Sequence, residues 1–236
     1  MRWYVSFFLA MSFICHAVSV SGRTTSGKVP KEVSTILKHN KAGLKTVKQL
    51  IVVYNDTAQS HTAVLAALEK RHRKWVLMFG PMQSYIGRNG FAAYGTKCEG
   101  DGKTPAGLYG LGCLFCYQKD VDTQMPAVVT TPDDKWIDDP QSDDYNTHVR
   151  GATSAASFEK LLIRSDAYKY CMVIEYNTRP VVKGKGSAIF FHLGQEETSG
   201  CVTITEENMK KILNWLTPTA NPSMLMGNLT ELYKGL

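Results

Sequence analysis

Ser187-Ala-Ile-Phe-Phe-His192-Leu-Gly-Gln-Glu-Glu-Thr-Ser-Gly-Cys201-Val202 is the stretch from which the rest of the chain can be read. Its first half is an apolar, aromatic run of strand length that closes on a histidine. A polar loop from Gly194 to Thr198 follows, and the chain returns through Ser199 and Gly200 to Cys201. A strand, a loop and a returning segment bring two ends together. His192 and Cys201 are therefore predicted to face each other across adjacent strands.

Moving outward, other segments share this strand character. Gln49-Leu-Ile-Val-Val-Tyr54, residues 75–86 and residues 170–176 are rich in β-branched, aromatic and aliphatic side chains. Residues 95–112 are turn-rich, and residues 124–145 read as mostly loop with acids and prolines. Helical spacing of Val64, Leu65 and Leu68 predicts a helix over residues 61–70. A second helix is expected over residues 154–163. The clearest helix is the last. Thr205 can cap it, Glu206 and Glu207 suit its positive end, Met209, Ile212, Leu213 and Leu216 form one stripe, and Pro218 stops it. The expected fold is mainly β, with a few peripheral α-helices.

The pairing of histidine with cysteine has a chemical rationale. A thiolate is the nucleophile, and a free cysteine has a pKa near about 8.5. A neighbouring imidazole can take the thiol proton and later return it to a leaving amine. A backbone carbonyl can fix the imidazole tautomer. Gly200 allows a tight bend, and amides beside Cys201 can polarise a carbonyl. Alone, each residue has a plainer reading: a satisfied histidine at a strand end, or a small buried cysteine. A metal site needs three or four ligands where this pair offers two, so no metal or cofactor is expected.

The amino terminus sets the compartment. Arg2 precedes a largely apolar run from Trp3 to Val20, and small residues follow at Ala17, Ser19, Ser21 and Gly22. That order is the grammar of a secretory signal peptide over residues 1–22, removed on export to the periplasm or the cell wall. Ser6, Ser12, His16 and Ser19 interrupt the run, which argues against a lasting membrane anchor. Residues 23–47 read as a polar lead-in, and residues 48–236 as one domain.

Bulk properties fit an ordinary globular protein: 236 residues, 44% hydrophobic and 20% charged, with a net charge of +6. Arg2 is the one charge in residues 1–22, so the mature chain keeps +5. No broad basic face of a nucleic-acid module is visible. The short run Lys70-Arg-His-Arg-Lys74 reads as a solvated helix end. Losing Cys15 with the signal leaves Cys98, Cys113, Cys116, Cys171 and Cys201, an odd number. Cys113-Leu-Phe-Cys116 is open to a redox, a zinc or a disulfide reading. Disulfide bonding among Cys98, Cys113, Cys116 and Cys171 is preferred, with Cys201 left to work.

The motif Ala188-Ile-Phe-Phe-His192 with Thr198-Ser-Gly-Cys-Val202 resembles the signature of the L,D-transpeptidase catalytic domain family. Glu99-Gly-Asp-Gly-Lys-Thr-Pro-Ala-Gly107-Leu-Tyr109 is similar to a strand-and-turn motif of that family. Trp136-Ile-Asp-Asp-Pro140, Tyr145-Asn146, Ile174-Glu-Tyr-Asn177, Pro180-Val181 and Ile212-Leu-Asn-Trp-Leu-Thr-Pro218 resemble its exported branch. The resemblance covers residues 48–218 and implies a β-sandwich-like catalytic fold. It also implies that Cys201 attacks the carbonyl of the third residue, a diamino acid, in a peptidoglycan stem peptide. D-alanine leaves, and an amine acceptor resolves the thioester. His192 would be base and acid, the Leu193 carbonyl would orient its ring, and Gly200 and Ser199 would flank the nucleophile.

Two positions depart from the pattern. Ser199 stands where many members have a second histidine, and Thr203 and Ile204 stand where many have an arginine. These departures keep a hydrolytic enzyme acting on stems or wall-linked protein, and an inactive wall-binding domain, as alternatives to transpeptidation.

Overall fold

The computed structural model describes residues 27–235. The predicted signal peptide lies outside the described residues. The chain opens with helix α1 (Lys31–His39) and strands β1 (Gln49–Asn55), β2 (Thr62–Arg71) and β3 (Lys74–Tyr85). Short strands β4 (Phe91–Ala92) and β5 (Thr104–Pro105) lead into the long β6 (Gly107–Cys116). Next come β7 (Ala127–Val129), β8 (Asp134–Ile137), β9 (His148–Arg150) and β10 (Phe158–Lys160). The last third holds β11 (Tyr170–Ile174), β12 (Phe190–Leu193), β13 (Val202–Ile204), α2 (Glu206–Trp215), β14 (Ser223–Asn228) and α3 (Leu229–Leu232).

The main sheet runs β11-β12-β13-β3-β2-β1-β14-β6-β7, and β6 also pairs with β11. That extra pairing closes the sheet on itself, so its long strands leave few open edges. The shortest pairing in the ring is β13 against β3, joined through Thr203 opposite Tyr85 and by Ser84 Oγ donating to the Thr203 carbonyl at 2.9 Å. Strands dominate, as the sequence predicts.

Alternate residues of each strand serve different cores. Ile51 and Val53 of β1 face the interior of the ring, while Leu50, Val52 and Tyr54 face a second core. Tyr170, Met172 and Ile174 of β11 face the interior, and Cys171 and Val173 face a third core. Burial on both faces is why these strands read as unbroken apolar runs rather than alternating ones. Met209, Ile212 and Leu213 of α2 pack into the interior core. The third core lies between β6, β11 and β12 and the small sheet β10-β8-β9, and it is the floor of the site.

Several expectations are corrected. Residues 61–70 form β2, not a helix. Ala63, Leu65 and Ala67 face one core, and Ala66 and Leu68 the other. Residues 154–163 hold β10, paired through Phe158 with Ile137 of β8. The lead-in is part of the packed structure: Val33, Ile36 and Leu37 of α1, with Leu44 and Val47, are buried against β1, β2 and β14. Each such side chain contributes about 1.5–3 kcal/mol by leaving water. Residues 70–74 form the β2–β3 hairpin rather than a helix end, with Arg71 opposite Lys74.

No disulfide forms among the described residues, and Cys98, Cys113, Cys116, Cys171 and Cys201 are all free thiols. Cys113 and Cys116 both lie on β6. Three residues of strand set two side chains on opposite faces, about 10 Å apart, too far for a disulfide.

Candidate active site

Cys201 sits at the entrance to β13, next to β12. The two strands run parallel, with Phe191 opposite Val202 and His192 opposite Thr203. That register puts Cys201 level with Phe190 and on the face that also carries His192. The structure thus places both residues on one face of two adjacent strands, and both line one open cleft of about 640 Å³. The connection between them is tight because the loop is pinned. Thr104 Oγ1 donates to the Gly200 carbonyl at 2.8 Å, and Thr198 Oγ1 donates to the Cys201 carbonyl at 2.8 Å. Gly200 has no room for a side chain, since a Cβ would lie 2.9 Å from the Lys103 carbonyl oxygen. Its N–H is donated to Thr198 Oγ1 at 3.0 Å.

The thiol is buried and rests in a definite hydrogen-bonded state. Cys201 Sγ donates to the Ala188 carbonyl at 3.3 Å and accepts from the Phe190 N–H at 3.3 Å. Burial pushes its pKa well above the ordinary thiol value, and the nearby Glu159 carboxylate adds to this. Cys201 therefore rests as a neutral thiol. The Ala188 backbone that holds it is unusual, with φ at 52° for a residue that has a Cβ. Such a conformation costs on the order of 1 kcal/mol and persists only where the surroundings hold it. Here Asn146 Oδ1 accepts the Ala188 N–H at 3.1 Å and the Trp136 indole N–H at 2.9 Å. Asn146 Nδ2 donates to the Tyr176 and Asn177 carbonyls.

His192 is 9% exposed. Burial lowers its pKa to about 4, against the opposing pull of the Leu193 and Ala167 carbonyls. The imidazole is neutral at neutral pH. Its Nδ1 lies 2.9 Å from the Leu193 carbonyl oxygen, an acceptor that favours the proton on Nδ1. The Tyr168 ring stands edge-on to the imidazole, with centroids 4.9 Å apart. The Tyr168 hydroxyl donates to Glu159, whose own pKa is raised by burial.

Cations and carboxylates share the cleft. Arg88 Nη1 donates to Ser199 Oγ at 3.0 Å, which brings a guanidinium from the segment after β3 beside the Ser199-Gly200-Cys201 loop. Glu99 accepts from Ser187 Oγ at 2.7 Å and from the Tyr145 hydroxyl. Asp138 lines the same cleft, and its Oδ1 is buried without a hydrogen-bond partner. Among the described residues no group of three His, Cys, Asp or Glu is arranged to hold a metal ion.

Sequence reasoning singles out Cys201, His192, Leu193, Ser199 and Gly200, and all except Leu193 line the cleft, with the Leu193 carbonyl at the imidazole instead. It misses Arg88, Glu159 and Tyr168, which carry no local motif. Thr104 and Asn146 stand inside quoted motifs, but their contacts to the Gly200 and Ala188 peptides span 96 and 42 residues and leave no local trace.

A family model for the L,D-transpeptidase catalytic domain (YkuD) matches residues 52–223. No curated protein and no solved structure matches the chain. The match runs from β1 to the start of β14 and takes in the cleft with its histidine, its pinned Gly-Cys loop and its buried thiol. The chain belongs to the L,D-transpeptidase catalytic domain family.

Proposed function

We propose that this is an exported cysteine acyltransferase acting on the stem peptides of peptidoglycan, with Cys201 as nucleophile and His192 as the group that moves its proton. The observation that carries this reading is a buried imidazole, held through Nδ1 at the Leu193 carbonyl, on the same strand face as a hydrogen-bonded thiol. The amino-terminal run Trp3 to Val20 supports export.

The reaction starts when the thiol leaves the Ala188 carbonyl and gives its proton to His192 Nε2. The thiolate attacks the carbonyl of the diamino acid at the third stem position, forming a C–S bond and an oxyanion. The peptide C–N bond then breaks. The imidazolium returns its proton to the departing amine of D-alanine, and a thioester remains on Cys201. An acceptor amine attacks next, passes a proton to His192 and expels the thiolate, which takes that proton back. Water in place of the amine gives hydrolysis. Since the Gly200 N–H is committed to Thr198, other N–H groups must polarise the carbonyl.

The mixed charge of the cleft suits a zwitterionic substrate. Arg88 offers a guanidinium to a carboxylate, standing in for the arginine that the sequence lacks after Cys201. Asp138 and Glu159 offer acceptors to the side-chain amine of a diamino acid. Arg88 also speaks against the inactive alternative, because it returns the missing cation to the cleft.

Mass spectrometry of the products from a purified tetrapeptide stem tests the assignment. Dimers linked through the third residues are expected. Tripeptide alone would assign a carboxypeptidase, and unchanged turnover by Cys201→Ala would remove the cysteine mechanism altogether.

A further inference from the structure

The β2–β3 hairpin and the end of α1 enclose a second depression, of about 590 Å³, far from the cleft. Its floor is aliphatic and aromatic, made by Leu37, Leu44 and Trp75. Around that floor stand Lys38, Lys41, Lys45, Lys70 and Arg73, and no carboxylate lines it. None of these five cations takes part in an ion pair among the described residues. The neighbouring Glu69 is committed to Arg71 at 2.8 Å and to the Trp215 indole.

Lys38 has a local explanation, since a cation in the last turn of α1 complements the helix dipole. The others do not share it. Lys70 is held in place, donating to the Leu44 carbonyl at 2.5 Å with its ammonium 4.7 Å over the Trp75 ring. Its pKa is lowered by burial. Lys41, Lys45 and Arg73 are exposed and face the same hollow. Like charges gathered in a concavity with low-dielectric walls repel one another and focus a positive field.

The backbone of the hairpin turn is unusual. Its two central residues, His72 and Arg73, have φ at 46° and 66°. A two-residue turn of this kind strongly prefers Asn-Gly, because both positions lie in the left-handed region. Each residue with a Cβ pays about 1–2 kcal/mol there. That turn sets Arg73 at the tip of the hairpin, beside the hollow.

We propose that this depression is a second, non-catalytic binding site for a polyanionic glycan of the cell wall. The aromatic and aliphatic floor takes sugar rings, and the five cations take carboxylates or phosphates along the polymer. The site lies at the opposite end of β3 from the cleft. Residues 74–85 reach from one to the other, roughly 35 Å of strand. A polymer held at the hairpin therefore runs past a catalytic centre tens of ångströms away. The wall as partner rests on the proposed function above, but the binding itself does not need a working nucleophile.

Cosedimentation of full-length Cys201→Ala with purified sacculi tests the site. The triple variant Lys41→Glu, Lys45→Glu, Arg73→Glu in that background is expected to bind about tenfold more weakly, with a shallower loss of affinity as salt rises. The milder Lys→Gln and Arg→Gln triple should fall in between, and guards against misfolding of the reversed form. In the active enzyme, the same triple should leave turnover of a soluble stem peptide unchanged. Absent turnover in the unsubstituted enzyme would sink the proposed function without touching the binding result. Sacculi stripped of phosphodiester polymers with hydrofluoric acid separate the two anions. Retained binding assigns stem carboxylates, and lost binding assigns the phosphodiesters. Sacculus binding that ignores all three substitutions overturns the proposal, as does charge-dependent binding to phosphatidylglycerol vesicles without any to sacculi.

Discussion

The imidazole of His192 is held neutral by its surroundings, and this has a consequence for stability. Its pKa is lowered from about 6.5 to about 4 by burial. Between those values the unfolded chain takes up a proton that the folded protein refuses. Unfolding is thus favoured as pH falls through that window, and the whole difference is worth about 3 kcal/mol. Between pH 7 and pH 5 the loss should be about 2 kcal/mol. His192→Gln should remove most of that slope. Urea unfolding of both proteins at the two pH values checks this, and parallel losses in both would mean that the imidazole is not desolvated. The same burial keeps Cys201 a thiol at rest, hydrogen-bonded to the Ala188 carbonyl.

The elements owe their stability to cores on both sides of the sheet. α1 shows this most clearly, because a nine-residue helix is too short to persist in water without tertiary contacts. Ile36 is fully buried between α1 and the sheet. Ile36→Ala should cost about 2–5 kcal/mol through lost transfer and a residual cavity. A chemical denaturation midpoint shifted by much less would mean that residues 27–47 pack only loosely. Double-sided burial also explains what the sequence could and could not tell. β1, β3, β11, β12 and α2 were legible, because β-branched and aromatic runs or a clean 3.6-residue stripe marked them. β2 was not, because apolar residues facing two cores lose their alternation and imitate a helix around Val64, Leu65 and Leu68. α1 hid in a polar segment whose three apolar residues, Val33, Ile36 and Leu37, form only one stripe. In the site, His192 and Cys201 were legible because one strand and one short loop carry both. Arg88, Glu159 and Tyr168 reach the same cleft from other elements, Thr104 and Asn146 brace the Gly200 and Ala188 peptides behind it, and only the closed sheet brings them there.

At the scale of the whole molecule, closure of the sheet sets the geometry of the site. β11 pairs with both β12 and β6, so the strand beside His192 is fixed on both edges. The small sheet β10-β8-β9 covers the outer face of these strands and supplies Glu159 from β10. It is held by Asp134, fully buried, which accepts from Arg150 at 2.8 Å and contacts His148 at 2.7 Å. β3 carries the tip of the basic hairpin at one end and leads to Arg88 at the other. One strand thus links the proposed wall-binding hollow to the cleft. The proposed function turns on an acyl group passing through Cys201. Intact-protein mass spectrometry of acid-quenched enzyme with a tetrapeptide stem tests it directly. The expected result is an added mass equal to the acylated tripeptide, absent in Cys201→Ala and slower to form in His192→Gln. An adduct that persists in Cys201→Ala, or product formed by that variant at the normal rate, would contradict it.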